Sequence, residues 1–249
     1  IRKAIPYIFE ILKAMNIQVE MVSGFEADDL IGTLSKQAEK KGYKVFMMTP
    51  DKDFGQLVSE NIFIYKPGRS GNPSEILGPK EVCEKFEVER PEQVIDILGL
   101  WGDAVDNIPG IPGIGEKTAK KLIGIYGSIE NLLANTGDLK GKQKENVENF
   151  ADQGLISKKL ATIILDCPVE FNESIYKRKE IDEKPLTDIL KELEFNQLGK
   201  RILGKPIYQE KQMDLFASSE NESESTTSLQ DFSSTKPEYK LIQTREEHL

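Results

Sequence analysis

Gly102-Asp103-Ala104-Val105-Asp106-Asn107-Ile108-Pro109-Gly110-Ile111-Pro112-Gly113-Ile114-Gly115-Glu116-Lys117-Thr118-Ala119 is the run from which the rest of the chain is read. Its first half carries two carboxylates, Asp103 and Asp106, three residues apart. That spacing predicts one shared face of a helical turn. Its second half, Pro112-Gly113-Ile114-Gly115, is a turn that glycine makes without steric cost, and it opens a lysine-rich helix. A hairpin of this kind turns backbone N–H groups outward at a helix N-terminus, where they can meet a phosphate oxygen. Paired carboxylates suit a divalent cation. The run therefore joins a metal-type site to a phosphate-type site, as metal chemistry on a phosphodiester requires. The bland alternative is an acidic cap followed by a helical corner that packs and binds nothing.

Two further acidic clusters lie upstream. Glu26-Ala27-Asp28-Asp29 opens a predicted helix over 26–41. Acids there complement the helix dipole, but three in four residues exceed what capping needs, and crowded like charges call for a cation. Asp51 and Asp53, in Thr49-Pro50-Asp51-Lys52-Asp53, follow an apolar run at 44–49 that reads as a central parallel strand covered on both faces. Strand ends are where open α/β sheets build their sites. A solvated Pro-Asp turn is the bland reading of that stretch. Taken together, seven carboxylates without a histidine or cysteine among them select hard, oxygen-seeking ions such as Mg²⁺ or Mn²⁺. Two ions could activate a water and stabilise a leaving oxygen; one would need fewer acids.

Composition narrows the alternatives. The single histidine, His248, lies at the end of the chain, which removes histidine triads and His-type zinc sites. Two cysteines, Cys83 and Cys167, fit a reducing cytoplasm and not a disulfide framework. No apolar run approaches the roughly 20 residues that span a bilayer, and no signal-peptide pattern is present. The net charge of −9 is unevenly spread: residues 206–249 carry −5 and residues 1–205 carry −4. With the seven clustered acids neutralised the body is +3, so charge neither excludes nor predicts a DNA partner.

Along the chain, helical periodicity at 2–15 is followed by alternation at 17–22, read as a strand, then the helix at 26–41 and strands at 44–49 and 62–65. This alternation predicts a parallel sheet over 1–90. From residue 78 the period changes. Helices are predicted at 79–86, 91–100, 116–126, 128–134, 142–150, 153–165 and 185–203, so residues 91–205 read as a helical subdomain. Lys117, Lys120 and Lys121, with the Thr118 hydroxyl, would hold a duplex backbone at Gly113, Ile114 and Gly115, and Lys140, Lys142 and Lys144 would extend the track. Residues 206–237 are acidic and rich in Ser, Glu, Asn and Thr, and read as a disordered linker; 238–249 reads as the start of a further domain. The chain begins at Ile1 as if within a helix and is read as a piece of something longer.

Three motifs carry a resemblance. Gly24-Phe25-Glu26-Ala27-Asp28-Asp29, Thr49-Pro50-Asp51-Lys52-Asp53 and the run from Gly102 to Ala119 resemble, in order over roughly residues 1–205, the 5′-nuclease domains of bacterial DNA polymerases I in the flap endonuclease superfamily. The resemblance implies a PIN-like α/β sheet followed by a helix–hairpin–helix (helix-three-turn-helix) subdomain. It implies two Mg²⁺ or Mn²⁺ ions held by Glu26, Asp28, Asp29, Asp51, Asp53, Asp103 and Asp106, with Asp28, Asp51, Asp53 and Asp106 catalytic. It implies a duplex strand gripped at Gly113–Thr118, with K⁺ at the hairpin carbonyls. The expected substrates are 5′ flaps and nicks in duplex DNA and RNA primer 5′ ends. The expected setting is a bacterial cytoplasm, near the nucleoid, within a polymerase that also carries a 3′–5′ exonuclease-like domain beginning near Tyr239-Lys240-Leu241-Ile242. The family also carries two acids, a basic gateway and a first central strand on a segment before Ile1. The alternatives are a duplex-binding module without chemistry and, from its strand-end acids, a phosphoacceptor receiver domain, in which the glycine hairpin has no role.

Overall fold

The computed structural model describes residues 1–68 and 71–208. The expected linker and the start of a further domain lie almost wholly outside the described residues. Residues Ile1–Ile207 form one compact unit. Its α/β part comprises α1 (Ile5–Ala14), α2 (Ala27–Lys40), β1 (Val45–Met48), β2 (Ile62–Lys66) and β3 (Glu75–Leu77). The helical part follows as α3 (Pro79–Phe86), α4 (Val94–Trp101), α5 (Glu116–Tyr126), α6 (Ile129–Ala134), α7 (Gly141–Asn149), α8 (Ala151–Ala161), α9 (Glu173–Tyr176), α10 (Glu183–Glu192) and α11 (Asn196–Leu203).

The sheet has the order β1-β2-β3. β1 and β2 are parallel, with Val45 opposite Ile62, and β3 returns antiparallel with Leu77 opposite Ile64. The parallel pair was expected; β3 was not, because three residues are too short to show a period. β1 is also not the doubly covered central strand that its apolar run predicts. Among the described residues it lies at the sheet edge, with Phe46 and Met48 exposed. An apolar run shows that a strand is suited to burial, not that both neighbours are present.

Three other boundaries differ from the sequence reading. Residues 17–22 form no strand: Asn16 takes a left-handed φ of 53° and the Ile17 N–H caps Leu12 O at 2.9 Å, so the chain closes α1 there without a ladder partner. The helix expected over 185–203 is two, separated where Glu194 adopts φ 56°. α8 stops at Ala161, and residues 162–171 run on as an irregular strap.

One hydrophobic core runs through both parts, from Met47, Phe54, Leu57 and Ile62 through Val94, Ile97, Leu98 and Leu100 to Ile123, Ile129 and Leu132. Each such aliphatic side chain, fully buried, stabilises the fold by about 2 kcal/mol. α4 is apolar nearly all round and lies at the middle of this core, which fixes its C-terminus, and the loop beyond it, against the end of β1. A second cluster joins Ala14 of α1 to Leu186 and Leu190 of α10 and to Ile207.

Candidate metal centre and hairpin

The acids come from three backbone devices. Glu26 is the N-cap of α2, and its N–H donates to Asp29 Oδ2 at 3.2 Å in a capping box. Beyond β1, the Asp51 N–H donates to Thr49 Oγ1 at 3.1 Å and the Asp53 N–H to Asp51 Oδ1 at 3.0 Å. These bonds turn the chain sharply into a short 3₁₀ helix, Asp53–Leu57. Gln56 fastens that turn: its amide donates to Asp53 O (3.0 Å) and Ala161 O (2.9 Å) and accepts from the Ile163 N–H at 3.0 Å. The site floor is thereby tied to the end of α8.

The third device is not the helical turn that the Asp103/Asp106 spacing predicts. Asp103 and Ile108 exchange backbone hydrogen bonds of 2.8 and 2.7 Å, closing a tight loop with Asp106 in its exposed part. Gly102 starts it at φ 79°, and a Cβ there would stand 2.6 Å from Ile108 O. The loop packs too closely on its own backbone for any side chain, and this selects a hairpin over a helix. Ser157 Oγ of α8 accepts the Gly110 N–H at 3.0 Å, and the Gln153 amide donates to Gly110 O at 2.7 Å.

The turn and the loop converge. Asp53, Asp103 and Asp106 each present a carboxylate oxygen, all within 4.8 Å of one another. Asp53 is 8% exposed, and its Oδ1 is buried without a hydrogen-bond partner among the described residues. Burial, then the neighbouring Asp51 charge, pushes its pKa up to about 7, against a smaller opposing pull from Lys52. Burial also raises Asp28, and the charges of Asp51, Glu26, Asp29 and Asp106 raise it further, so the acids at the start of α2 face the same cluster. A buried, unsatisfied carboxylate oxygen amid other carboxylates is the donor set that an oxygen-seeking cation fits.

Not all seven acids stand alike. Both oxygens of Asp29 accept backbone N–H groups, Oδ2 from Glu26 and Oδ1 from Ile164 at 2.8 Å. Asp103 Oδ1 accepts the Val105 N–H at 2.8 Å, and its Oδ2 lies 2.5 Å from Lys52 Nζ. That ammonium holds the Asp103 carboxyl below the usual range, despite burial. Lys52 itself is lowered by burial but raised more by Asp103, and it lies 4.5 Å from the Trp101 ring centroid. The sequence reading passed over Lys52 as the spacer between two aspartates. The signal available was a lone cation inside an acidic motif.

At the hairpin, Gly113 takes φ 78°, and a Cβ there would meet Asn146 Nδ2 at 2.8 Å. That amide donates to Pro112 O at 2.7 Å, pinning the turn to α7. Ile114 is buried as its anchor. The N–H groups of Gly113, Gly115, Glu116 and Lys117 make no backbone hydrogen bond among the described residues. They form the donor-rich start of α5 that the sequence predicts. Lys117 and Lys121 are exposed and Thr118 half-buried. Lys120 faces elsewhere: its side chain, 12% exposed, donates to Lys85 O at 2.8 Å and pairs with Glu116 at 2.8 Å, bracing α5 on α3.

Two family matches give the class, the 5′–3′ exonucleases. Residues 1–87 match the N-terminal resolvase-like domain of the 5′–3′ exonucleases, and residues 89–184 match their C-terminal SAM-fold domain. The chain belongs to the 5′–3′ exonuclease family found in bacterial DNA polymerases I. It is 42% identical over 198 residues to DNA polymerase I of Bacillus subtilis, a match covering 79% of this chain and 22% of that protein. It is 39% identical over 202 residues to a 5′–3′ exonuclease of Aquifex aeolicus, covering 80% of this chain and 66% of the relative. The chain thus spans about a fifth of the length of the polymerases that it matches. In fold it is similar to the bacteriophage T5 flap endonuclease solved with DNA and metal ions (TM-score 0.51, 21% identity, 70% of this chain and 61% of that one). It is likewise similar to the catalytic core of Rad2 solved with DNA substrate (TM-score 0.53, 15% identity, 83% and 67%). No helix among the described residues is long and apolar enough to cross a membrane.

Proposed function

We propose that this chain provides the site of a metal-dependent, structure-specific 5′–3′ exonuclease and flap endonuclease that hydrolyses phosphodiesters at nicked or flapped duplex DNA. The observation that carries the reading is the convergence of Asp53, Asp103 and Asp106 on one point, with the buried Asp53 Oδ1 unpartnered. Asp28, Asp51, Asp53 and Asp106 would hold Mg²⁺ or Mn²⁺, with Glu26 and Asp103 completing the set for two ions. The chemistry such ions supply when bound is activation of a water and neutralisation of the leaving oxygen. The protein's own residues position the substrate. The free N–H groups of Gly113, Gly115, Glu116 and Lys117, with the Lys117, Lys121 and Thr118 side chains, take the phosphates of the uncut duplex and set the distance to the acids. K⁺ at the hairpin carbonyls belongs to the same reading. So does a parent DNA polymerase I, which the polymerase relatives support, and with it the removal of RNA primer and damaged 5′ ends in a bacterial cytoplasm.

A second reading, duplex binding without cleavage, is favoured by one observation: both Asp103 oxygens are already engaged, by Lys52 and the Val105 N–H. Cleavage of a 5′-labelled flap duplex with Mg²⁺ or Mn²⁺ against EDTA separates the two. Metal-dependent cutting near the junction, lost in Asp53→Ala with duplex binding retained, is the expected result. Binding without cutting, in this chain and in one extended to the full length of its nuclease relatives, would leave the second reading standing.

A further inference from the structure

Lys52 is the one positive charge that touches the acid cluster among the described residues. Its geometry is specific. The ammonium lies 2.5 Å from Asp103 Oδ2 and over the Trp101 ring, and its side chain is 31% exposed. It is held by the same turn that aims Asp53: the Lys52 carbonyl accepts the Gly55 N–H at 3.0 Å, and Asp51 and Asp53 flank it. The turn fixes the backbone from which the ammonium reaches Asp103. The indole face adds a second attraction for a cation. The pair is also asymmetric in exposure, since Asp103 is nearly buried and Lys52 is not, and among the described residues Asp103 forms no other salt bridge.

The consequence is competition. Asp103 Oδ1 already accepts the Val105 N–H, and Lys52 sits on Oδ2, so both oxygens are engaged. A divalent ion that takes Asp103 as a ligand must share or displace that ammonium. We propose that Lys52 is a tethered counter-cation: it neutralises Asp103 while the acid cluster is unloaded, and divalent metal binds through Asp103 at the expense of this ion pair. Lys52 is thus a positioning residue that sets metal affinity through Asp103, and not a residue that reacts. The inference rests on the metal reading of the site. The buried, unpartnered Asp53 Oδ1 is the independent sign that the cluster receives a cation.

The test is Mn²⁺ binding, read by the loss of the free-ion signal in electron paramagnetic resonance, without substrate. Wild type is compared first with Asp53→Asn. Binding weakened by that change upholds the metal reading; equal or absent binding in both overturns it, and the present proposal with it. Lys52→Met is then expected to raise Mn²⁺ affinity by about fivefold or more, since one repelling and competing charge is gone. Lys52→Arg, which keeps the charge and the stacking, is expected to bind as wild type does. In an Asp103→Asn background the gain from Lys52→Met should be clearly smaller than in wild type, because the competition for Asp103 is gone and only the charge repulsion from Lys52 remains; an equal gain in both backgrounds would mean that Lys52 does not act through Asp103. Unchanged or weaker Mn²⁺ binding in Lys52→Met, with the Asp53→Asn effect intact, would overturn the proposal alone. A global unfolding artefact is excluded by the far-UV spectrum of Lys52→Met, and Lys52→Gln serves if that variant does not fold.

Discussion

At the scale of single residues, the site is built by withholding partners. Asp53 has a buried oxygen with no partner among the described residues, while Asp29, at the end of the upstream acidic motif, has both oxygens bonded to backbone. Two aspartates alike in sequence therefore differ in chemistry. The pKa of Asp53 is about 7 in the folded protein, raised by burial and then by Asp51, with Asp103 and Asp106 adding to it and Lys52 opposing. The sign follows from linkage. A carboxyl whose folded pKa lies above its unfolded one binds its proton more tightly when folded. Its contribution is fully present below the unfolded value of about 4 and is lost as pH rises towards 7. In EDTA at pH 8, Asp53→Asn is therefore expected to be more stable than wild type by about 1–3 kcal/mol, a gap that closes below about pH 4. Thermal melts across that range check it. A variant that melts lower than wild type at pH 8 would show that the carboxylate is already stabilised by the fold.

At the scale of elements, α2 and α5 each separate binding from bracing along one helix. The side chains of Asp29, Thr33, Gln37 and Lys41 are four residues apart, so they form one stripe along α2. Each bonds the backbone of the strap that follows α8: Asp29 to the Ile164 N–H, Thr33 to Ile164 O and the Cys167 N–H, Gln37 to Val169 O and the Phe171 N–H, and Lys41 to Phe171 O. Asp28, one residue off the stripe, points to the acid cluster instead. Two results are expected from this ladder. Thr33→Val, which leaves the Cys167 N–H buried and unpaired, should cost about 1–3 kcal/mol in a urea titration. Asp29→Asn should leave Mn²⁺ binding close to wild type where Asp28→Asn weakens it, and equal losses in the two would make Asp29 a ligand. On α5 the division falls between lysines. Lys117→Ala should weaken duplex binding and reduce the slope of log K against log salt by about 1, as one lost phosphate contact does. Lys120→Ala should lower the melting temperature and leave that slope unchanged, because its ammonium is spent on Lys85 O and Glu116.

At the scale of the whole molecule, two cores of unequal size hold the unit together. The larger surrounds α4 and borders the turns that carry Asp51, Asp53, Asp103 and Asp106, and α2 lies against its Leu57 and Ile163 through Gly32. The smaller joins α1 to α10 and α11, with Tyr7 Oη donating to Glu192 at 3.0 Å and the Asp182 N–H to Ala14 O at 2.8 Å. Truncating the fully buried Leu190 to Ala should cost about 2–5 kcal/mol. Hydrogen exchange should then show α1, α10 and α11 opening ahead of α4, and uniform loss of protection would mean a single cooperative core. The sequence by itself determined most of the helices, the parallel pair of strands, the three acidic motifs and the glycine hairpin. Those features follow from local periodicity, turn chemistry and charge, which a short window of residues contains. The helix break at Glu194 escaped it, because a left-handed glutamate leaves no mark in composition, and at 17–22 the apolar alternation outweighed Asn16, a residue type that does favour the left-handed region. Only the tertiary structure decided which acids meet. Asp53 and Asp103 are fifty residues apart in the chain and share a point because α4, buried on nearly every face, has one place to end. The same packing brought Lys52 onto Asp103 and the strap onto Asp29, since a carboxylate's role is set by which donors the fold places within 3 Å of it, and that distance is not written in the order of residues.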